Sequence, residues 1–154
     1  AALEGRFPAK DTDLRSQLAA IQEALARIEN RISPQGKVNL DHGFATFSDH
    51  WSPKVAGRIN DMQIKLVKLS GAFVWHHHDD EDELFLVNKG RLMMKFRDRD
   101  ETLEAGEFII VPHGVEHCPV ALSDVCEVIL LEPATTLNTG NVENDFTVSD
   151  LGQI

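Results

Sequence analysis

The chain has 154 residues, of which 42% are apolar and 26% are charged, which is ordinary for one globular domain. Its 25 Asp and Glu residues outnumber 15 Lys and Arg residues, so the net charge at pH 7 is −10. This charge repels phosphate backbones and anionic lipid, so we expect neither nucleic acid nor membrane as a partner. The longest apolar runs have about four residues, as in Val128–Leu131, whereas a membrane-spanning helix needs roughly 20.

The cysteine content points to a cellular compartment. Only two cysteines occur, Cys118 and Cys126, and they do not form a C-x-x-C pair. Small secreted domains more often carry a framework of disulfides. Residues 1–11 also lack a basic start followed by an apolar stretch, so we expect no secretory signal there. We therefore expect a reducing, cytoplasmic location.

A helical pattern occupies the N-terminal part of the chain. Six apolar residues follow one another at alternating steps of four and three: Leu14, Leu18, Ile21, Leu25, Ile28 and Ile32. Such spacing forms the heptad seam of a helix that pairs with another helix. Thr12 or Asp13 would cap the helix, and Pro34 would end it near Ser33. Two interpretations stay open, because the helix can lie on its own domain or form a short coiled coil with a second copy.

From Val38 to Glu132 the apolar period changes to two. Short β-type runs, separated by turn signals, recur at intervals of about ten residues. These runs are Gln63–Leu69, Leu84–Val87, Arg91–Phe96, Glu107–Val111 and Cys126–Leu131. The pattern predicts an all-β antiparallel sandwich or barrel.

The change of period divides the chain. We expect an N-terminal extension over residues 1–36, with its helix at about 13–32, and a barrel domain over residues 37–154. The polar segment after Pro133 is expected to wrap the barrel surface or to fray.

Four residues of this barrel region are candidate metal ligands. Because side chains alternate along an extended strand, His76 and His78 point to one face and His77 to the other. Glu83 follows an acidic turn and opens the next strand, where it can return a carboxylate to the same place. His117 comes just after a Pro-x-Gly turn and is the fourth candidate. Together these residues predict a metal site.

The four candidates belong to two longer motifs. The first consists of Gly71, His76-x-His78, Glu83 and Gly90, and the second of Gly106, Pro112-x-Gly114 and His117. In order and spacing they resemble the two motifs of the cupin superfamily, specifically its small single-domain members of the conserved-barrel (cupin_2-like) kind. Two positions depart from the pattern. Gly71 lies one residue closer to His76 than the motif asks, and Ala121 stands where the second motif has Asn.

The resemblance implies a fold and an assembly. The fold is a double-stranded β-helix, or jelly-roll barrel, of roughly six to eight strands, here with an N-terminal α-helix. Small cupins also pair through strand exchange or sheet packing, so we expect a homodimer or a higher homo-oligomer.

The resemblance also implies that His76, His78, Glu83 and His117 converge on one divalent metal inside the barrel. Three imidazoles and a carboxylate suit Fe, Mn, Ni, Zn or Co without singling one out. A six-coordinate Fe, Mn or Ni ion keeps positions open for a substrate, whereas the same four ligands would close a four-coordinate Zn ion.

Two functions of different kinds follow. In the first, we expect a metal-dependent enzyme that acts on a small oxygen-bearing molecule, as a dioxygenase-like oxidoreductase, an isomerase or a lyase. In that case Glu83, if it swings off the metal, is the one catalytic acid–base candidate. Alternatively, the barrel binds a metal or a small ligand without catalysis, as a sensor or accessory protein. The fold does not choose between these functions.

Other signals have structural explanations. Residues 113–117 spell the H-x-x-E-H motif of a zinc peptidase, which works only on a helix, and Pro112, Gly114 and Pro119 disfavour a helix there. Cys118 should face away from His117 as an inert buried thiol. The acidic turn Asp79–Asp82 is expected in solvent.

The remaining large side chains are assigned to the barrel. Six residues are expected to fill or line it: Trp75, Phe85, Met94, Phe96, Phe108 and Ile110. With Phe85 and Phe108 beside the metal, the pocket would be largely apolar. Arg91 and Lys95 are candidates for binding an anionic substrate, although exposed surface positions are the default for both.

Overall fold

The computed structural model describes residues 9–32 and 36–154 of the chain. The chain divides into two compact units, Ala1–Lys37 and Val38–Ile154. In the part of the chain that is described, no helix combines the length and the apolar content needed to cross a bilayer.

The first unit contains helix α1, Ala9–Ile32. The predicted helix is confirmed, but its predicted cap is wrong, because Thr12 and Asp13 lie inside the helix. Ala and Lys are good helix formers, so the helix continues past the first seam residue toward the N-terminus. The residues expected to end it, 33–35, lie outside the described residues. Four described seam residues are between 53% and 60% exposed: Leu14, Leu18, Ile21 and Leu25.

The second unit is the predicted all-β domain. Its elements are α2 Leu40–Ala45, β1 Lys54–Ile59, β2 Met62–Leu69, β3 Glu83–Lys89, β4 Arg91–Phe96, β5 Asp100–Glu104, β6 Phe108–Val111, β7 His117–Ala121, β8 Cys126–Pro133 and β9 Gly152–Gln153. One sheet has six strands in the order β6-β3-β8-β2-β1-β9, and the other has three in the order β5-β4-β7. The buried faces of both sheets contribute to one apolar core, so the fold is a jelly-roll barrel.

All five predicted β-type runs are strands, namely β2, β3, β4, β6 and β8. Two further elements show why others escaped the pattern. Helix α2 depends on a local cap, since the Asn39 side chain accepts a hydrogen bond from the backbone N–H of His42 at 2.9 Å. Strand β5 is almost wholly polar and buries only Leu103, so its pairing with β4 makes it a strand.

The predicted core is partly confirmed. Phe85, Met94 and Phe96 are buried, whereas Phe108 and Ile110 are 61% and 54% exposed. The prediction for the latter two is wrong because β6 is an edge strand, and alternation turns its residues 109 and 111 toward the core instead.

Trp75 is half-buried at the surface, and the guanidinium of Arg97 lies 3.8 Å from the centre of its ring. The prediction that Trp75 fills or lines the barrel is therefore not met, because its ring packs under a surface cation.

The segment after β8 wraps the barrel and does not fray. The Asn141 side chain accepts a hydrogen bond from the backbone N–H of His77 at 2.9 Å, and the Asn141 N–H donates to the His77 carbonyl at 3.0 Å. Gly140 packs against the same peptide with φ of +53°, and a Cβ there would overlap the His77 carbonyl oxygen. The tail is thus fastened to the histidine segment.

Replacing Gly140 tests this contact. Gly140→Ala is expected to lower the free energy of unfolding by about 2–4 kcal/mol, because it adds overlap to the strain of a positive φ. Gly71→Ala is the matched control, since Gly71 has φ of +68° but open space around its Cα. Urea unfolding measures both variants, and equal losses would show that the tail does not press on His77.

Candidate metal site

Backbone pairing sets two of the histidines side by side. The N–H of His76 donates to the carbonyl of His117 at 3.0 Å, and the N–H of His117 donates back to the carbonyl of His76 at 2.9 Å. The two residues are therefore directly opposite each other in an antiparallel bridge. Their ring centres lie 4.3 Å apart.

Glu83 completes the group from the first position of β3. Its Oε2 atom lies 3.0 Å from Nε2 of His78 and 3.1 Å from Nε2 of His117. The ligand atoms of His76, His78, Glu83 and His117 all lie within 4.8 Å of one another, and all four residues are buried. The structure brings together the four residues that the sequence singles out, and His77 turns outward as expected.

Two of the imidazoles are held by the main chain. Nδ1 of His76 lies 3.0 Å from the carbonyl of Val74, and Nδ1 of His117 lies 2.9 Å from the carbonyl of Val115. Because a carbonyl only accepts hydrogen bonds, the proton of each ring is on Nδ1. Nε2 therefore keeps a free lone pair, as a metal ligand requires.

The group contains polar atoms that no protein atom satisfies. Among the described residues, five buried side-chain atoms lack a hydrogen-bond partner. Three of these atoms are His78 Nε2, Glu83 Oε2 and His117 Nε2. Unmet buried polar atoms are rare, and a cluster of lone pairs without donors is unfavourable. A divalent cation satisfies all of them at once, so these residues fit a metal ion.

Protonation also favours metal binding. Burial, reinforced by the neighbouring His117, lowers the pKa of His76 to about 4. Burial alone would raise the pKa of Glu83, but the adjoining imidazoles of His117 and His78 outweigh it and bring this pKa below its usual value. At neutral pH the site therefore offers a neutral imidazole at His76 and a carboxylate at Glu83.

A buried ion pair adjoins the group. Leu84 of β3 lies opposite Leu131 of β8, which places Glu83 beside Glu132 on the inner face of the sheet. The Lys65 Nζ atom lies 2.6 Å from Oε1 of Glu132, and the two side chains are only 2% and 1% exposed. Burial, with the nearby Glu83 adding to it, raises the pKa of Glu132, and Lys65 opposes this shift.

Neither Lys65 nor Glu132 is among the site residues predicted from the sequence, although the alternation of side chains along each strand gives a signal for both. Lys65 shares its face of β2 with Val67 and Leu69, and Glu132 shares its face of β8 with Leu130. These neighbours are core residues, so two charges on the inner face mark a polar site in the barrel.

A cavity reaches the candidate ligands. Its interior is narrow, with room for about 30 Å³ of solvent inside about 390 Å³ of space free of protein atoms, which includes solvent at its mouth. Its polar lining residues are His76, Glu83, Glu132 and Asn138, and its walls are mostly apolar, with Phe85 among them. Phe108 is not a lining residue, so the prediction that it flanks the metal is wrong because this side chain points outward from the edge strand.

The remaining expectations concern the surface. Arg91 is exposed and pairs with Glu104 at 2.8 Å, and Lys95 lies half-buried on the outer face of β4, so both occupy the default positions. Residues 113–116 form a turn without helix, as the rejection of the peptidase motif requires. Cys118 is buried, and burial raises the pKa of its thiol.

The acidic turn is mostly exposed, as predicted. Asp82 nevertheless has a structural role, because it accepts a hydrogen bond from the backbone N–H of His113 at 2.8 Å. This bond joins the first motif to the second.

The comparisons with known proteins agree with this geometry. Residues 65–132 match the family described as Cupin domain (Cupin_2). A cupin-2 domain containing protein from Shewanella frigidimarina is 48% identical, with 62% of this chain and 93% of that chain covered and a TM-score of 0.61. The chain belongs to the cupin superfamily.

This cupin is also similar to two further proteins. Protein NMB1881 from Neisseria meningitidis is 30% identical, with 64% of this chain and 100% of that chain covered and a TM-score of 0.59. The protein YdbB of Bacillus subtilis is 29% identical over 94 residues, which are 60% of this chain and 75% of YdbB.

The candidate metal site predicts a contrast between neighbouring histidines. His78→Ala is expected to lose one bound divalent ion per chain, whereas His77→Ala, whose side chain points outward, is expected to keep it. Nickel at 100 times its dissociation constant should stabilise the wild type and His77→Ala by about 2.7 kcal/mol, and His78→Ala not at all. Elemental analysis and thermal unfolding measure these effects, and equal metal content in both variants would contradict the assignment.

Proposed function

We propose that this cupin binds one divalent transition metal through His76, His78, Glu83 and His117 and uses it to transform a small oxygen-bearing molecule. The supporting observation is that buried ligand atoms without hydrogen-bond partners converge beside a cavity lined by two of the four residues, His76 and Glu83. The donor set suits Fe, Mn, Ni, Zn or Co.

When bound, such an ion supplies Lewis acidity or, for a redox-active metal, activation of O₂. The chain supplies the rest. The carbonyls of Val74 and Val115 hold two imidazoles in the orientation a ligand needs. Apolar walls exclude water from the pocket, and Glu83, when it swings off the metal, is the catalytic group proposed to accept or return a proton.

The reaction is that of a dioxygenase-like oxidoreductase, an isomerase or a lyase. A non-catalytic metal-binding or small-ligand-binding barrel is the alternative function. It is favoured by the narrowness and apolar lining of the cavity and by the lack of a general base outside the ligand group and Glu132 among the described lining residues.

Turnover after metal loading separates the two functions. Metal-free protein loaded with Fe(II), Mn(II), Ni(II) or Co(II) is expected to convert at least one small acid, enol or phenol, with O₂ uptake if the reaction is oxidative. His78→Ala should abolish the activity, and His77→Ala should retain it. Substrate loss followed by mass spectrometry, together with an oxygen electrode, gives the readout. If no substrate is converted with any of the metals, the result would favour the non-catalytic binding function.

We also propose a homodimer or higher homo-oligomer, with the seam of α1 as one contact. Four described seam residues are more than half exposed, and leaving such a stripe in water is unfavourable. Three heptads are marginal alone, so the pairing would add to contacts made by the barrel. The division into an extension over 1–36 and a barrel over 37–154 stays a prediction.

Light scattering tests the role of the seam. The double variant Leu18→Glu/Ile21→Glu is expected to reduce the number of subunits per particle, because it puts charges on the seam. Ala19→Glu/Ala20→Glu, on exposed positions next to the seam, should leave the assembly intact. A chain that begins at Gln35 should behave like the seam variant. Identical masses for all of these proteins would remove α1 from the assembly.

A cytoplasmic location stays a prediction. It is supported by Cys118 and Cys126, which are buried free thiols and not a disulfide.

A further inference from the structure

We propose that Glu132 is a ligand-binding carboxylate of the same site, which accepts a hydrogen bond from a hydroxyl or N–H group of the molecule whose oxygen binds the metal. The inference rests on the proposed function and narrows its ligand class. The molecule is small and mostly apolar, and it carries a hydrogen-bond donor next to its metal-binding oxygen.

The register of the sheet puts Glu132 within reach of such a molecule. The paired register ends at Leu84 and Leu131, and Glu83 and Glu132 are the next residues on the two strands. Residues directly opposite each other have Cβ atoms about 4.5–5.5 Å apart. Both residues line the cavity. A ligand atom bound at the metal is therefore one functional group away from the Glu132 carboxylate.

One oxygen of Glu132 is engaged and the other is not. Oε1 accepts from the Lys65 ammonium at 2.6 Å, and this contact fixes the orientation of the carboxylate. Oε2 is buried and has no hydrogen-bond partner. An unmet acceptor of this kind is unfavourable, and a donor from a bound ligand satisfies it.

The other polar residues of the cavity already have partners. The Nδ2 group of Asn138 donates to the carbonyl of Phe146 at 2.7 Å, and its Oδ1 accepts from the backbone N–H of Val148 at 2.8 Å. His76 and Glu83 belong to the metal group. Among the described polar residues of this cavity, Glu132 alone has a side-chain oxygen outside the metal group that is left for a ligand.

A purely structural role explains the pair poorly. Two buried charges are usually no more stabilising than apolar residues of similar volume. Here the pair lies in a barrel whose other inward positions, such as Val67 and Leu130, form an apolar core. The pair is thus accounted for by the ligand it would bind.

The apolar walls define the rest of the ligand. Trp51 and Phe73 stack with ring centres 4.5 Å apart, and Phe85 lines the same cavity. Such walls bind an apolar or planar body and give no partner to additional polar groups.

Two hydroxamates test the proposal on full-length protein loaded with Ni(II). Acetohydroxamic acid and N-methylacetohydroxamic acid bind a metal through the same two oxygens, but only the first has an N–H donor. The measured quantity is the ratio of their dissociation constants by calorimetry. In Lys65→Met/Glu132→Leu, acetohydroxamic acid is expected to lose about tenfold or more of its affinity relative to N-methylacetohydroxamic acid. In Glu132→Gln the relative loss should be smaller.

Controls make each result decisive. Lys68→Met alters a lysine of the same strand that bonds to Phe47 outside the cavity, so it should leave the ratio unchanged. The double variant replaces both charges with apolar groups and keeps the test valid if Glu132→Gln does not fold. Nickel content and thermal unfolding are measured for every variant.

Three results would overturn the inference. An unchanged ratio in both Glu132 variants means that Glu132 does not contact the ligand. A change of nickel affinity with no change of ratio means that Glu132 acts only through Glu83. If neither hydroxamate binds the nickel-loaded wild type, the bound ion has no open coordination position for a ligand. That result would contradict the proposed function and, with it, this inference.

Discussion

The antiparallel bridge between His76 and His117 is the constraint on which the site depends. Two backbone hydrogen bonds join the segment before β3 to the start of β7, so the imidazoles are adjacent without any side-chain bond between them. The N–H of Gly114 donates to the carbonyl of His78 at 2.7 Å and ties the Pro-x-Gly turn to the same segment. Main-chain hydrogen bonds thus place the candidate ligands next to one another.

The interior of this barrel is unusual for a protein core. Beside its apolar residues it buries three imidazoles, two carboxylates and the Lys65 ammonium. Charged groups are seldom buried unless they are paired or bind metals. Lys65 pairs with Glu132, and Glu83 lies among the histidines, so each charge has a partner or a candidate ion. The surrounding apolar core stabilises the fold, and the buried polar residues beside the cavity form the candidate site for a reaction.

The apolar pattern predicts most of the barrel and fails at particular places. Five strands follow from alternation, whereas β5 and α2 depend on pairing and on a cap that leave no apolar signal. Phe108 and Ile110 look like core residues, but which face of a strand is covered depends on its neighbours. Strand β6 lies at the edge of its sheet, and its outer face stays exposed.

The sequence by itself determined the metal-binding candidates. Both motifs place them at strand ends and turns, where the spacing along the chain indicates which side chains point to the same face. It also determined the all-β class, since alternation records which residues are buried. Only the tertiary structure decided that Lys65 and Glu132 meet inside the barrel. The two residues are separated by 67 positions. A charged residue in a strand is expected at the solvent-exposed surface as long as its partner strand is unknown. Long-range strand register, which no local pattern contains, makes that pair and places it beside Glu83.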